Sequence, residues 1–98
     1  MFTEMKPYEI MTIYKVELTD QAAKDVSVKV QELITSMEGK VTKAQFWGKR
    51  RFAYEIKHKQ EGYYDVINFE MDSSKISKMK TKLNMLTGLL RYLITAQG

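Results

Sequence analysis

The chain lacks several features on which secreted, membrane and many catalytic proteins depend. None of its 98 residues is cysteine, which excludes disulfides, thiolate metal ligands and cysteine nucleophiles. No apolar run approaches the ~18 residues of a membrane span. The N-terminal segment 1–6 also lacks the basic-then-apolar build of a signal peptide. These absences predict a protein of the reduced cytosol without membrane attachment.

Proline and histidine each occur only once. Pro7 precedes an alternating stretch, where its missing amide donor does little harm. His58 lies in a polar segment and has no second histidine or cysteine with which to form a metal site. The sequence contains no phosphate-binding glycine loop, serine elbow or other catalytic motif. It therefore offers no residues on which an enzyme hypothesis could rest.

The composition is that of a small globular domain with a mild basic excess. A chain of 98 residues can bury one modest core but not two, so we expect residues 1–98 to form a single domain. Sixteen Lys and Arg against twelve Asp and Glu give a formal net charge of +4 and a pI near 9.3. This excess favours nucleic acid as a partner without requiring it.

Apolar periodicity divides the chain into six elements. Alternation at period two predicts four strands, and apolar residues at helical spacing predict two helices. Their order is β-α-β-β-α-β, with the strands at residues 8–15, 41–56, 63–71 and 89–96. Right-handed crossovers place both helices on one face of a four-stranded antiparallel sheet. The prediction is a ferredoxin-like split β-α-β fold of the α+β class, with no helix left to cover the other face of the sheet.

Caps and glycines give the expected boundaries of these elements. The glycines that follow the apolar stripes, Gly39 and Gly88, are expected to end the two helices. Gly48 is expected to bend or bulge the second strand, and the polar segment 57–62 is the expected hairpin turn. Candidate N-caps are Thr19 or Asp20 for the first helix and Ser73 or Ser74 for the second. In the last strand, alternation places Leu90, Tyr92 and Ile94 on one side and Leu89, Arg91 and Leu93 on the other.

The densest positive charge is Lys49-Arg50-Arg51, within a predicted strand. Because neighbours on a strand point to opposite faces, one of these three cations is expected to face away from the other two. One interpretation is a phosphate clamp, reinforced by Lys57 and Lys59 if the turn brings them near. The other is a solvated strand whose charges prevent aggregation.

Three further groups have both a functional and a structural interpretation. Arg91 lies inside an apolar strand, where a buried cation would need either a carboxylate or a phosphate. Lysines 75, 78 and 82 flank the apolar stripe of the second helix, and solubility explains them more simply than binding. About half of the aromatic residues in the middle hairpin must be core, and the rest could stack on bases or receive a partner protein. These aromatic residues are Phe46, Trp47, Phe52, Tyr54, Tyr63, Tyr64 and Phe69.

The segment 48–57 reads Gly-Lys-Arg-Arg-Phe-Ala-Tyr-Glu-Ile-Lys. It closely resembles the motif of the bacterial small-subunit ribosomal protein six family, a glycine and basic residues followed by Leu-Ala-Tyr-x-Ile-Lys. The chain departs from the usual pattern at Phe52 (leucine), Glu55 (proline) and Leu90 (a second arginine). Further matches extend over nearly the whole chain, at Tyr8-Glu9, Gly39, Gly62-Tyr63 and Leu90-Arg91-Tyr92-Leu93.

This resemblance implies a structural protein of the small ribosomal subunit in the cytoplasm, without catalysis, cofactor or small-molecule substrate. Members of the family pair with small-subunit ribosomal protein eighteen, and the pair binds the central domain of small-subunit ribosomal RNA in the platform. On this basis the expected RNA contacts are Arg50, Arg51 and Arg91, with Lys49, Lys57 and Lys59 as lesser phosphate contacts. The expected contacts to the protein partner are Phe46, Trp47 and Tyr54.

Two other protein classes share the predicted element order. Residues 50–54 faintly echo the aromatic signature of an RNA recognition motif domain, but Arg51 takes a glycine position and Glu55 an aliphatic one. The stretch also precedes the hairpin turn instead of following it. A small acylphosphatase-like enzyme would need a phosphate-cradling loop after the first strand, and residues 15–18 offer none. Both classes remain as alternatives.

Overall fold

The structure is a computed structural model. It describes residues 5–15, 17–56 and 59–97, with the backbone alone for 52–56 and 59–60. Its elements are β1 (Met5–Lys15), α1 (Asp20–Ser36), β2 (Lys40–Ile56), β3 (Lys59–Asp72), α2 (Ile76–Leu83) and β4 (Leu89–Ala96). The strands pair antiparallel in the order β2-β3-β1-β4. The predicted ferredoxin-like fold is confirmed, with β1 and β3 central and β2 and β4 at the edges.

Both helices pack on the same face of the sheet, which we call the helical face. The strand residues that point to it include Tyr8 and Ile10 of β1, which lie opposite Phe69 and Ile67 of β3. Burial of an aliphatic side chain such as Ile10 or Ile67 contributes roughly 1.5–3 kcal/mol to folding. The core that they form with α1 and α2 contains Tyr8, Ile10, Val30, Ile34, Met37, Ile67, Phe69, Met71, Met79 and Leu83.

The opposite face, which we call the open face, has no helix over it within the described part of the chain. Its residues alternate with those of the helical face and include Ile13 on β1 and Tyr64 and Val66 on β3. Ile13 and Val66 are nonetheless buried. Ile13 packs with Leu90 and Tyr64 in a small apolar cluster on this face, across the middle of the sheet.

The first helix begins and ends as its sequence predicts. The Thr19 hydroxyl oxygen accepts a 3.1 Å hydrogen bond from the amide of Ala22, which caps the helix. At the other end Glu38, and not a glycine, adopts the left-handed conformation, with φ of 64°. The amide of Gly39 then donates a 2.9 Å bond to the carbonyl of Ile34. The role of Gly39 at the helix end is this hydrogen bond to Ile34, and its own φ is not positive.

Gly48 bends β2 as predicted. Its φ is 82°, and the register of β2 against β3 shifts between Phe46 and Gly48. A bulge of this kind inserts one extra residue and increases the local twist. The cations that follow Gly48 consequently lie beyond the bulge, on the part of β2 that leads into the hairpin.

The hairpin connection is shorter than the sequence predicts. β3 begins at Lys59, which pairs with Ile56, so residues 59–62 belong to the strand and not to a turn. Lys57 and His58 lie outside the described residues. The polar composition of this segment is compatible with a strand because pairing with β2 satisfies its backbone groups whatever the side chains are.

The second helix differs from its predicted bounds at both ends. A 3₁₀ turn, Ser73–Lys75, precedes it, and Asp72 caps that turn by accepting a 2.9 Å bond from the Ser74 amide. Ser73 and Ser74 are therefore not the caps. The helix ends at Leu83, well before Gly88, with Asn84 as its C-cap. Gly88 has φ of 94° in the turn before β4, and its carbonyl accepts a bond from Lys15.

Two face assignments in β4 are wrong, because Leu89 packs into the core of the helical face together with Tyr92 and Ile94, and Leu90 does not. Tyr14 lies opposite Leu89 whereas Ile13 lies opposite Arg91, so the register shifts and Leu90 is displaced. Leu90 packs against Ile13 on the open face and does not share a side with the two residues predicted to accompany it, Tyr92 and Ile94. A bulge formed with a distant strand cannot be read from alternation along β4 alone.

No helix in the described ranges is long and apolar enough to cross a membrane.

Candidate nucleic-acid interface

The three consecutive cations of β2 divide between the two faces of the sheet, as strand alternation predicts. Lys49 and Arg51 lie opposite Tyr63 and Glu61, which point to the helical face, whereas Arg50 lies opposite Gly62 in the alternate register. All three cations are exposed to solvent. Lys49 Nζ and Glu61 Oε2 lie 3.9 Å apart and form an exposed ion pair, which contributes at most about 1 kcal/mol. Because this ion pair is weak, the β2 cations stay available for another anion.

Arg91 is exposed on β4 and lies opposite Ile13, on the open face. No carboxylate lies within 4.0 Å of its guanidinium among the described side chains. Its charge faces solvent, so the cost of burial that the apolar strand sequence suggested does not arise. Arg91 is therefore a cation that the fold holds in place without neutralising it.

Arg50 and Arg91 lie at opposite edges of the open face, near the same end of the sheet. The register connects Gly48 to Tyr64, Tyr64 to Ile13, and Ile13 to Arg91 in one row across all four strands. The row from Gly48 to Arg91 spans three strand spacings, about 14 Å, and Arg50 lies two residues beyond Gly48 along β2, about 7 Å from the row. A row of apolar and aromatic side chains thus separates two cations, an arrangement suited to phosphates on either side of a contacted segment.

Three of the predicted site residues cannot be placed in full. Lys57 lies outside the described residues. Lys59 and Tyr54 are described by their backbones alone, in β3 and β2 respectively. Their predicted roles remain predictions.

The two described aromatic residues at the bend of β2 occupy different environments. Phe46 is half-buried, with its ring centroid 6.2 Å from that of Tyr63, and Lys24 Nζ lies 5.6 Å from the Phe46 ring. Trp47 is 46% exposed at the bulge. An exposed tryptophan on a rigid strand is a typical anchor for a protein partner, whereas Phe46 mainly fixes β2 against its neighbours.

Leu93 of β4, which is 64% exposed, has no role predicted from the sequence. Leu93 lies opposite Met11 on the open face, which continues the apolar surface to the edge of the sheet. The sequence signal for this apolar surface is that β1 and β4 carry large apolar side chains at both odd and even positions. A strand with one solvated face would carry polar residues on that face.

A polar cluster lies buried beneath α1, on the helical face. Asp65, only 1% exposed, accepts hydrogen bonds through Oδ2 from Tyr14 at 2.7 Å and from Ser27. Burial, and then the charge of Asp65, raise the pKa of the Tyr14 phenol well above its usual range. The described residues contain no group of three His, Cys, Asp or Glu side chains that could hold a metal ion. Because Ser27 belongs to α1 whereas Tyr14 and Asp65 belong to the sheet, this cluster links α1 to the sheet. It lies away from the exposed cations.

Comparison with known proteins identifies the family. Residues 7–96 match the model of the family described as ribosomal protein S6. The small ribosomal subunit protein bS6 of Fusobacterium nucleatum subsp. nucleatum is 32% identical over 93 residues, covering 95% of this chain and 99% of that protein. The bS6 protein of Symbiobacterium thermophilum is 38% identical over 90 residues, covering 92% of this chain and 95% of that protein.

A solved structure agrees with these sequence matches. The crystal structure of 30S ribosomal protein S6 from Thermotoga maritima superposes with a TM-score of 0.89 at 26% identity, covering 96% of this chain and 89% of that one. These relatives are named as structural components of the ribosome, and their family is not enzymatic. The chain belongs to the ribosomal protein S6 family of the small ribosomal subunit.

Proposed function

We propose that this protein binds small-subunit ribosomal RNA in the central domain, at the platform, together with small-subunit ribosomal protein eighteen. As a single-domain protein of the ribosome in the cytoplasm, it would assist assembly of the small subunit and thereby translation. The observation that carries the proposal is the presence of two exposed arginines, Arg50 and Arg91, at opposite edges of one open sheet face.

The proposed mechanism is preorganisation of cations on a rigid sheet. Arginine binds phosphate through a planar fork of donors and is always charged. Arg50 and Arg91 would each contact a phosphate, with Arg51 and the lysines at 49, 57 and 59 adding weaker contacts. Because the strands are fixed by pairing before RNA arrives, little conformational entropy is lost when these contacts form.

The proposed partner surface combines the bend of β2 with the open face. Trp47 at the bulge and Leu93 on β4 are the large apolar side chains that project into solvent from these strands. Phe46 would support Trp47 from the helical face, and Tyr54 would extend the surface along β2. A modest net charge of +4 suits a protein that shares its RNA contacts with a partner.

The test is RNA binding by the purified protein, alone and with protein eighteen, to a central-domain RNA fragment over a range of salt concentrations. We expect tight binding to require both proteins. The Arg91→Ala variant should bind roughly threefold to tenfold more weakly, with a salt slope shallower by about 1, because one phosphate contact is lost. The matched control is Lys29→Ala, since Lys29 is an exposed cation on α1 and not on the sheet.

Two results would contradict the proposal. The first is equal loss of binding in Arg91→Ala and Lys29→Ala, which would mean that net charge alone drives the interaction. The second is equally tight binding of the protein alone to arbitrary single strands, which would favour an RNA recognition motif-type module instead.

A further inference from the structure

The positive charge of this protein is concentrated in its last quarter. Residues 73–98 contain five of the sixteen lysines and arginines and none of the twelve acidic residues. The first 72 residues therefore carry eleven cations and twelve acids, a formal charge of −1, against +5 for the remainder. The entire basic excess of the chain belongs to α2, β4 and their connections.

Part of this charge borders a cleft between the end of α1 and the start of α2. The cleft has a volume of about 350 Å³ and is lined by Ser36, Met37, Glu38, Ser74, Lys75, Lys78 and Lys82. Three lysines face one glutamate there, a formal excess of two positive charges. The cleft lies in the helical layer, on the other side of the molecule from the open face.

One of the three lysines has a structural role. Lys75 Nζ donates a 3.2 Å hydrogen bond to the carbonyl of Met37 and a 2.8 Å bond to Glu38 Oε1. It thereby satisfies a carbonyl at the C-terminus of α1, where the helix dipole favours a cation. The Glu38 carboxylate is also neutralised by this contact, and its pKa is lowered by the hydrogen bond and by the charge of Lys75.

The other two lysines of the cleft have no such engagement. Within the described ranges, no carboxylate lies within 4.0 Å of Lys78 or Lys82. They are four residues apart on α2, so they lie one above the other, about 6 Å apart along the helix axis. Because Lys75 already neutralises the one carboxylate of the cleft, the field of Lys78 and Lys82 faces an opening without a competing negative charge.

We propose that this cleft is a second RNA-binding site, which takes backbone phosphates on Lys78 and Lys82. The proposal rests on the RNA-binding function proposed above and adds a contact on the helical layer to those of the sheet. It gives this protein two separate RNA-facing surfaces.

The chemistry of the cleft favours a series of phosphates along a backbone, each bound weakly through its charge, over one small anion bound tightly. A compact ligand is usually held by several convergent, directional donors in an enclosed pocket. Here the Ser36 hydroxyl is already bonded to the carbonyl of Leu33 at 2.8 Å, and the remaining cations are flexible point charges. Lysines in a row along a helix match successive phosphates of a strand, which are bound without reading the bases.

The first arm of the test uses inorganic phosphate and NMR of the isotope-labelled protein. We expect amide shifts confined to residues 36–38 and 74–82, lost in a Lys78→Gln/Lys82→Gln double variant. The matched control is Lys80→Gln, because Lys80 is exposed on the same helix and does not line the cleft. Lys75 is left unchanged because it holds the end of α1. Shifts that survive the double substitution, or no shifts at all, would overturn the site.

The second arm uses the central-domain RNA fragment with protein eighteen. The double variant should lose about 1–2 units of salt slope and bind roughly tenfold more weakly, since two phosphate contacts disappear. Lys80→Gln should change the slope by much less. Unfolding curves that match the wild type would exclude a folding defect as the cause.

The outcomes separate this site from the sheet contacts. Full RNA affinity in the double variant, with weakening in Arg91→Ala, would overturn the cleft and leave the proposed function standing. Phosphate shifts without any effect on RNA binding would overturn RNA as the ligand. If the wild type fails to bind RNA even with the partner, the proposed function fails, and the phosphate arm still decides whether the cleft holds an anion.

Discussion

Tyr14 donates a 2.7 Å hydrogen bond to Asp65 beneath α1, where neither side chain reaches solvent. Ser27 of α1 donates to the same carboxylate oxygen, and Thr12 donates a 2.8 Å bond to the Tyr14 phenol. The second oxygen of Asp65 has no hydrogen-bond partner among the described residues. One carboxylate therefore links both central strands to the first helix, and each donor removed leaves it less satisfied.

Tyr14→Phe should destabilise the protein by about 1–3 kcal/mol, because a buried carboxylate loses one of its donors. Urea unfolding near neutral pH measures this loss. The matched control is Tyr8→Phe, since Tyr8 is also buried and its hydroxyl makes no hydrogen bond to a described residue. That variant should lose no more than about 0.5 kcal/mol. Equal losses in the two variants would contradict the role assigned to the Tyr14 hydroxyl.

The same residue should make stability fall at alkaline pH. The pKa of Tyr14 is raised above its usual value, first by burial and then by Asp65. A raised pKa stabilises the fold fully below the unfolded value of about 10, and this contribution is lost as the pH rises above it, because only the unfolded chain then releases the proton. Unfolding free energies between pH 8 and 11 should fall less steeply for Tyr14→Phe than for the wild type. Parallel curves would contradict the linkage.

The polar cluster also marks a limit of sequence reasoning. Alternation places Thr12, Tyr14 and Asp65 on faces correctly, because strand period depends only on backbone geometry. It does not reveal that Asp65 meets donors 51 and 38 residues away in sequence. Partners brought together by strand register and helix packing have no local signature, so Asp65 could only be counted as an isolated carboxylate.

Two glycines should respond differently to substitution, because different constraints act on them. A Cβ on Gly39 would lie 2.8 Å from Ile34 Cγ2 and 3.0 Å from the Glu70 carbonyl oxygen. Gly39→Ala should therefore cost about 1–3 kcal/mol through overpacking. Gly48 has open space but a φ of 82°, so Gly48→Ala should cost about 1–2 kcal/mol of backbone strain. Thermal or urea unfolding of both variants gives the two values.

Asparagine distinguishes the two causes. Gly48→Asn should recover part of the loss, because asparagine tolerates the left-handed region better than alanine. Gly39→Asn should be at least as destabilising as Gly39→Ala, because the added atoms meet the same obstruction. Recovery at Gly39, or none at Gly48, would reverse the assignment.

Acid should weaken the contact between the end of α1 and the start of α2. Lys75 lowers the pKa of Glu38, so the contribution of this pair is present above the unfolded pKa of about 4.5 and is lost as the pH falls through the folded value. The difference in melting temperature between pH 6 and pH 3 should be smaller in Glu38→Gln than in the wild type. The control Glu32→Gln, an exposed residue of α1, should keep the wild-type difference. A reduced difference in the control would argue against a specific pair.

The parts of the candidate interface that depend on local backbone geometry could be predicted from the sequence. The split of the β2 cations follows from strand alternation, and the bend at Gly48 follows from the freedom of glycine. The burial of Leu90 could not be predicted, because it depends on a register shift against β1. The exposure of Arg91 could not be predicted either, because alternation gives the side of a strand but not whether that side is covered. The cleft at Lys78 and Lys82 was equally hidden, since it forms only where the end of α1 meets the start of α2.

The partner surface leads to a final prediction about Trp47 and Leu93. Both are exposed, so Trp47→Ser and Leu93→Ser should change the free energy of unfolding by less than about 1 kcal/mol. If they contact protein eighteen, Trp47→Ser should weaken that complex about 30-fold, the effect of losing a central aromatic anchor worth about 2 kcal/mol. Titration calorimetry of the two proteins measures this. Val28→Ser provides the control, because Val28 is an equally exposed apolar residue on α1. Wild-type affinity in both sheet variants, or an equal loss in Val28→Ser, would place the partner on another surface.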